Sequence, residues 1–406
     1  MGSSPFPFAD PWRHHNFKKI LERIEAKRTY ASDRSKSTMR YWRVQDTFEI
    51  EETTWTKKNP EISIDIQKEQ SLSSEEWSLL NFPYCPLPKE VTTHVDCMKW
   101  REAMDNYAKG RTLCQAEVQL MDNVSKDLRD GCDSMVGSPG NRKTISRNCF
   151  QHPQIDIPRI LDAVATEVKS GRMAGPFPVG YIKDAKVNGF LSIIKPGGAR
   201  RQVGNLAAPK GASFNDGISK ESLQEWQVVM TTSQQTSDMI ANSGKGSILS
   251  CSDMVAAYKC LPVKKEQRRL QVFRLLGREF IDLRLIFGDK RACLLYDRFH
   301  HCIITMLVLP EAPIPCSWLG RTIDDVTTVA PKEGRHLTER FVDTYRRTLD
   351  SLNIGAAEED INRNKAFDSS TSGEILGIWF DTDQMTWELP KRKLSPLTTK
   401  ECALAG

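Results

Sequence analysis

Two short stretches place acidic side chains at the ends of segments that should form buried strands. In the first, residues 247–251 predict a short apolar strand after the turn-forming segment 243–246, and Asp253 follows the end of that strand. In the second, Asp324 and Asp325 stand between two runs rich in Thr, Ile and Val. Because adjacent aspartates are unfavourable in a strand, the second stretch predicts a tight hairpin with charge at its tip.

Asp253 precedes the Asp324-Asp325 pair by 324 − 253 = 71 residues, so any meeting of the three side chains requires the tertiary fold. Clustered carboxylates repel one another unless a cation lies between them. Hard divalent ions such as Mg²⁺ take oxygen ligands of this kind. A bare Asp-Asp pair is more often a solvated turn than a metal site, so the metal-site interpretation depends on the order of the surrounding motifs.

Composition narrows the classes of protein that the chain can belong to. It has 406 residues, enough for two or three domains, and no apolar run near the roughly 18 residues of a membrane span. The N-terminus lacks the basic and apolar segments of a secretory signal. Eleven cysteines without CxxC pairs favour reduced thiols in an intracellular protein, cytoplasmic or nuclear. The adjacent pairs His14-His15 and His300-His301 lack partner cysteines, so we expect packed or exposed histidines and no zinc site.

Positive charge is concentrated in one part of the chain. The net charge is +5, yet residues 259–300 alone contain eleven Lys or Arg and five acidic residues. A basic field beside a carboxylate cluster is typical of a site that handles a polyanionic substrate with a metal. A solvated charged face explains the charge count equally well.

Hydrophobic periodicity predicts helices and hairpins in an order typical of an α+β fold. The helices are expected near 96–129, 157–170, 292–309 and 335–352. Hairpins are expected at 190–203 and 270–285, and a last strand pair at 374–381 and 385–389.

Six motifs stand in a recognisable order. The first combines His152-Pro153 with 167–177 (EVKSGRMAGPF), and the others are 196–218 (PGGARRQVGNLAAPKGASFNDGI), 253–262, 285–296, 322–325 and 376–394. In this order they resemble the reverse transcriptase of DIRS-type retrotransposons, over roughly residues 128–396. The resemblance implies a right-hand polymerase of the α+β class, with fingers and a ferredoxin-like palm sheet that has helices on one face. It also implies four segments: a poorly defined N-terminal extension (1–95), N-terminal helices and fingers (96–245), a palm with the catalytic aspartates (246–396) and a tail (397–406).

The resemblance implies an RNA-directed DNA polymerase and assigns roles to individual residues. Asp253, Asp324 and Asp325 match the metal-binding triad, which would hold two Mg²⁺ or Mn²⁺ ions while a primer 3′-OH attacks a nucleotide α-phosphate. The expected partners are an RNA or DNA template-primer and deoxynucleoside triphosphates, with no membrane. The remaining implied roles are triphosphate binding by Lys195 and Arg201, sugar selection by Tyr258, base-pair packing by Phe287 and Gly288, and protonation of pyrophosphate by Lys365. Tyr258 fits a core aromatic equally well.

Five positions depart from the family pattern: Asn205, Ile286, Arg291, Cys293 and Thr322. The sequence therefore leaves a second function open, a nucleic-acid-binding protein that keeps this fold after catalytic decay or domestication. The two functions differ in whether Asp253 lies beside Asp324 and Asp325 in an open groove, or whether the charged loop 289–291 fills that groove. A third alternative, a Mg²⁺-dependent hydrolase, lacks an evident base to activate water.

Overall fold

The computed structural model describes residues 72–80, 82–135, 157–194, 200–207, 213–219, 221–355 and 366–390. These ranges contain helices and antiparallel sheets in the α+β order that the sequence predicts. The helices are α1 (Ser74–Leu79), α2 (Cys97–Ala108), α3 (Gln115–Asp130), α4 (Ile157–Lys169), α5 (Ser233–Ser243), α6 (Ala292–Cys302) and α7 (Arg335–Ser351). The strands are β1 (Met173–Pro178), β2 (Val187–Ile194), β3 (Arg200–Asn205), β4 (Ile248–Asp253), β5 (Val272–Leu275), β6 (Arg278–Asp282), β7 (Leu319–Thr322), β8 (Asp325–Ala330), β9 (Phe367–Ser370), β10 (Ser372–Ile375), β11 (Ile378–Asp381) and β12 (Thr386–Glu388).

One sheet has five strands in the order β1-β6-β5-β2-β3. Both predicted hairpins, β2–β3 and β5–β6, are confirmed, and they join through a short parallel pairing of β2 with β5. The sheet therefore combines strands from the predicted segments 96–245 and 246–396. Helix α4 closes one side, because its apolar positions Ile160, Leu161 and Val164 share a buried cluster with Met173 and Phe280.

The described part of the N-terminal segment packs against this five-stranded sheet. Leu72, Trp77 and Leu80 are buried in the same apolar cluster as α4. The Trp77 indole N–H donates a hydrogen bond of 3.0 Å to the Leu276 carbonyl, which satisfies its polar atom inside an apolar environment. The first 71 residues of the predicted extension lie outside the described residues.

A second sheet has four strands in the order β7-β8-β4-β9. Side chains alternate between the two faces of a strand, and in β8 Val326 joins the cluster of α6 and α7, whereas Val329 joins that of α5. Both faces are therefore covered, and the expectation of helices on one face is wrong in this respect. In β4 and β8, consecutive positions are buried, and these include serine and threonine as well as apolar residues, so neither face of the sheet is left to solvent.

The C-terminal strands differ from the predicted pair. Residues 374–381 do not form one strand, because Leu376 and Gly377 have φ values of +51° and +81° and reverse the chain between β10 and β11. The result is a separate three-stranded sheet, β10-β11-β12. Its buried residues Ile375 and Phe380 pack with Phe367 of β9 against the second face of the four-stranded sheet.

The predicted helices are confirmed with small changes at their boundaries. The segment 96–129 forms two helices, and Asp96 caps the first by accepting hydrogen bonds of 3.0 Å from the N–H groups of Met98 and Lys99. Helix α6 continues into a π-helical segment, Ile303–Val308. Within the described ranges, we find no helix with the length and apolar character needed to cross a membrane.

Candidate metal centre

The candidate site lies at the end of the four-stranded sheet where β4, β7 and β8 meet. Asp253 ends β4 and pairs with Asp325 at the start of β8. Asp325 also pairs with Thr322 of β7, so Ile323 and Asp324 alone connect the two strands. The tight hairpin with acidic residues at its tip, which the sequence predicts, is confirmed.

The hairpin tip has an unusual backbone conformation. Ile323 has a φ of +48°, a region that two-residue hairpin loops require but usually fill with Gly, Asn or Asp. For a β-branched residue this conformation is an outlier that costs on the order of 1–3 kcal/mol. The surrounding structure must therefore hold the turn. One such contact is the Met254 N–H, which donates to the Asp324 carbonyl at 3.2 Å.

The carboxylates of Asp253, Asp324 and Asp325 converge. One oxygen atom from each lies within 4.8 Å of the other two, and all three residues are half-buried. Across the described residues, no other three His, Cys, Asp or Glu side chains come together in this way. The convergence predicted from the sequence is confirmed.

The donor set fits a hard divalent cation. Mg²⁺ takes oxygen ligands at about 2.0–2.1 Å, so ligands on opposite sides of one ion stand about 4 Å apart. The observed spacing within 4.8 Å accommodates that arrangement with small side-chain rotations. No His or Cys side chain contributes to the cluster, which disfavours zinc and favours magnesium or manganese.

A buried histidine contacts the hairpin from behind. His300 of α6 has no solvent exposure, and its Nδ1 lies 2.8 Å from the Ile323 carbonyl oxygen while its Nε2 lies 2.9 Å from the Tyr345 hydroxyl of α7. A carbonyl can only accept, so Nδ1 carries the proton and Nε2 accepts from Tyr345. Burial lowers the pKa of His300 to about 3, and the ring is therefore neutral near pH 7.

Two tyrosines lie beside this histidine and behind the carboxylates. Burial raises the pKa of Tyr345 well above its ordinary value, and the negative charge of Asp253 raises it further. Tyr296 is also fully buried, and its hydroxyl lies 3.2 Å from the Met254 sulfur. Both phenols therefore stay protonated near pH 7, and each can donate a neutral hydrogen bond, Tyr345 to His300 and Tyr296 to the Met254 sulfur.

Tyr258, the predicted sugar-selecting residue, is largely inside the core. It follows Ala256, which has a φ of +52°, and lies in a single 3₁₀ turn, Ala257–Cys260. Its side chain is 6% exposed, and its ring centroid lies 4.6 Å from that of Phe287 and 5.4 Å from that of Tyr296. Phe287 is only partly buried and lies against the same core cluster. The two aromatics thus form one packed group at the edge of the core.

Gly288 makes a close backbone contact with the five-stranded sheet. Its φ is +103°, and a Cβ atom built there would lie 2.7 Å from the Gly204 carbonyl oxygen of β3. The Asn215 amide also donates to the Gly288 carbonyl at 2.6 Å. Glycine at this position is therefore explained by the approach of β3, independently of any nucleotide.

The charged loop 289–291 is partly turned inward. Asp289 is 6% exposed and accepts hydrogen bonds from the Ser134 hydroxyl at 2.6 Å and the Arg291 N–H at 2.8 Å. Arg291 is 2% exposed and forms an ion pair of 2.7 Å with Glu225. Only the middle residue of the loop, Lys290, is exposed. The two flanking charges thus have partners within the protein: the buried Ser134 for Asp289 and the exposed Glu225 for Arg291.

Partly buried ion pairs hold the turn that carries Tyr258. The neighbouring Lys259 pairs with the Asp282 carboxylate of β6 and lies 3.7 Å from a Glu167 carboxylate oxygen of α4, which in turn binds Arg172 at 3.0 Å. Burial raises the pKa of Asp282 to about 6. These contacts join the turn that follows β4 to strand β6 and helix α4.

The remaining predicted site residues are described incompletely. Arg201 lies on β3, paired with Ile193 of β2. Lys195, Lys365 and the motif His152-Pro153 lie outside the described residues, so their roles stay predictions.

Sequence reasoning missed the residues that support the hairpin. His300 and Tyr345 stand on apolar helix faces, where a single polar residue carries no signal of its own. The one available cue is that the helical face of Leu337, Phe341, Tyr345 and Leu349 includes a phenol, whose hydroxyl requires a partner when buried.

Comparisons with known proteins give structural likenesses alone. No protein-family model matches the chain, and no curated protein matches it. The foamy viral protease-reverse transcriptase in complex with double-stranded DNA is 15% identical, with a TM-score of 0.44 over 77% of this chain and 60% of that chain. A second complex of the same protein (dRH) with double-stranded DNA has a TM-score of 0.43 at 15% identity over 78% and 51% of the two chains. The native prototype foamy virus protease-reverse transcriptase is also 15% identical, with a TM-score of 0.39 over 75% of this chain and 38% of that chain. The chain thus spans less than two thirds of each of these proteins, and the values describe a partial likeness of the backbone.

Proposed function

We propose that the chain carries the fingers and palm of an RNA-directed DNA polymerase. The observation that carries this proposal is the convergence of the Asp253, Asp324 and Asp325 carboxylates at the ends of two paired strands. The order of motifs along the sequence supports it. The proposed division is fingers within 96–245, palm within 246–396, and an extension and a tail outside them.

Asp253, Asp324 and Asp325 would hold the metal ions. When bound, two Mg²⁺ ions lower the pKa of the attacking hydroxyl and stabilise the negative charge on the leaving pyrophosphate. The chain's own part is to fix the carboxylates on rigid elements, which β4 and the β7–β8 hairpin provide. Arg201 and Lys195 would bind the triphosphate, since guanidinium and ammonium groups pair with phosphate oxygens. Lys365 would protonate the departing pyrophosphate.

The base pair would lie against the edge formed by Phe287, Gly288 and Tyr258. Phe287 offers a partly exposed ring there, and Gly288 offers backbone without a side chain. The inward direction of Asp289 and Arg291 favours an open groove over a filled one. Of the eleven basic residues of 259–300, Lys265 and Lys290 are exposed and would add attraction for the template-primer backbone. Four others, Arg268, Arg284, Arg291 and Arg298, are buried.

Template-directed synthesis is tested with two homopolymer substrates. On poly(rA) primed with oligo(dT), the protein with Mg²⁺ should extend the primer with dTTP and not with dGTP. On poly(rC) primed with oligo(dG), the preference should reverse, since the template chooses the nucleotide. Binding of both substrates without extension would reject the polymerase and support the nucleic-acid-binding alternative.

A further inference from the structure

We infer that His300 is a positioning residue for the metal centre, working together with Tyr345. This inference deepens the proposed function and rests on it for its catalytic readout. The feature that carries it is a chain of two hydrogen bonds from α7 through α6 to the carbonyl of Ile323, which is adjacent to Asp324.

The hairpin tip needs such support because its conformation is unfavourable in isolation. Ile323 lies at positive φ, which β-branched residues rarely adopt, and such outliers persist only when the surroundings hold them. The His300 Nδ1–H bond of 2.8 Å fixes the orientation of the peptide that leads into Asp324. The direction of the Asp324 side chain therefore depends on this bond.

Tyr345 stabilises the tautomer of His300 that the Ile323 carbonyl requires. Its hydroxyl donates to Nε2 at 2.9 Å, so the proton stays on Nδ1, where the Ile323 carbonyl needs it. Burial raises the pKa of Tyr345, so its phenol keeps the proton that this hydrogen bond requires. In metal sites, residues that do not touch the metal often orient its ligands through hydrogen bonds. His300 would act in this way on Asp324 through the Ile323 carbonyl.

Both helices are anchored independently of the site. His300 and Tyr345 are fully buried; Tyr345 belongs to the core cluster that contains Phe341 and Leu349, and the His300 ring lies 5.5 Å from the ring of Tyr296. A hydrogen bond from a rigid helix transmits position to the turn, whereas a flexible side chain would not. The backbone bond from Met254 to Asp324 then links the same turn to the strand that ends in Asp253.

The test compares His300→Leu, Tyr345→Phe and His300→Asn with His301→Leu. Leucine removes both ring nitrogens, phenylalanine removes only the donor to Nε2, and asparagine keeps an amide donor near the position of Nδ1. The neighbouring His301, whose ring packs 5.5 Å from Trp226, gives the matched control. Mn²⁺ affinity is measured by electron paramagnetic resonance on the full chain, beside kcat, nucleotide KM and the melting temperature.

We expect His300→Leu to weaken Mn²⁺ binding roughly threefold to tenfold, the range for loss of one neutral hydrogen bond. Its kcat should fall about tenfold to a hundredfold, because small misplacements of catalytic groups have effects of that size. Nucleotide KM should change less than twofold. Tyr345→Phe should show a smaller loss in the same direction, His300→Asn should restore most of it, and His301→Leu should match wild type.

Unchanged Mn²⁺ affinity in a folded His300→Leu protein would overturn the inference. The inference would also fail if His300→Leu and His300→Asn lost Mn²⁺ affinity and kcat equally and in proportion to their fall in melting temperature, since this result indicates a purely structural role. If His300→Leu does not fold, the comparison of Tyr345→Phe with His300→Asn decides. Mn²⁺ binding by a wild type that extends no primer would reject the proposed polymerase and leave the positioning role to be judged by affinity alone.

Discussion

Replacement of Tyr258 by Ala separates a core role from a sugar-selecting role. The side chain is 6% exposed and packs against two aromatic rings. Truncation of a buried aromatic costs about 3–5 kcal/mol, and the lost ring pairs, worth roughly 0.5–1.5 kcal/mol each, place Tyr258→Ala towards the upper end. With a urea m-value of about 3 kcal/mol/M, the unfolding midpoint should fall by roughly 1–1.7 M.

Two control variants isolate the cause of that loss. Tyr258→Phe keeps the ring and removes the hydroxyl, so its free energy of unfolding should fall by only about 1 kcal/mol. Tyr181→Ala removes a tyrosine that is 53% exposed and stacks on Phe177 alone, and about 1 kcal/mol is expected there as well. A loss below about 1 kcal/mol for Tyr258→Ala would refute the assignment of Tyr258 to the core.

The same variant tests sugar selection. If the ring excludes a 2′-hydroxyl, Tyr258→Ala should raise the ratio of ribonucleotide to deoxynucleotide incorporation while deoxynucleotide extension continues. The ratio is measured below the lowered melting temperature of the variant, so that unfolding does not enter. Lower stability with an unchanged ratio would reject sugar selection and leave the core role.

The other predictions concern a glycine, an arginine and a histidine. Gly288→Ala should cost about 1–3 kcal/mol more than Gly180→Ala, because both have positive φ but only Gly288 meets a backbone oxygen; equal melting temperatures would contradict this. Arg201→Ala should raise nucleotide KM about tenfold to a hundredfold, the equivalent of a charge-assisted bond of about 1.5–3 kcal/mol; an unchanged KM with weaker template binding would place Arg201 at the template backbone. His300 has a pKa of about 3 when folded and about 6.5 when unfolded. The unfolded chain therefore binds the proton first, and stability falls as pH drops below about 6.5. From pH 7.5 to 5 this contributes a loss of about 2 kcal/mol, which His300→Asn should lack in urea unfolding.

Local patterns predicted most of the elements that build the fold. Helix α7 and strand β4 follow clear apolar periodicities, and both appear close to the expected residues. The break between β10 and β11 was missed because Leu376 adopts positive φ, which its side chain does not favour. The covering of the second face of the four-stranded sheet depends on α5, whose single buried isoleucine, Ile240, gives a weak local signal.

The convergence of the three carboxylates was predictable because charge at strand ends is conspicuous in a sequence. The supporting contacts were not, since the bonds of His300 to Ile323 and Tyr345 join residues that are 23 and 45 positions apart. The close approach of Gly288 to Gly204 likewise arises from packing of the loop before α6 against β3. Such contacts depend on tertiary geometry, which periodicity does not encode.

Single-nucleotide addition in Asp324→Asn tests most directly whether the three carboxylates carry out the proposed chemistry. Wild type, Asp324→Asn and the control Asp343→Asn, an exposed aspartate on α7, are compared with Mg²⁺, a primed poly(rA) template and dTTP. The account predicts that Asp324→Asn loses addition at least a hundredfold, that Asp343→Asn keeps it, and that all three bind the template-primer alike, because neither substitution removes a positive charge that would contact the template-primer phosphates. Addition by Asp324→Asn at the wild-type rate, or loss of template binding together with activity, would contradict it.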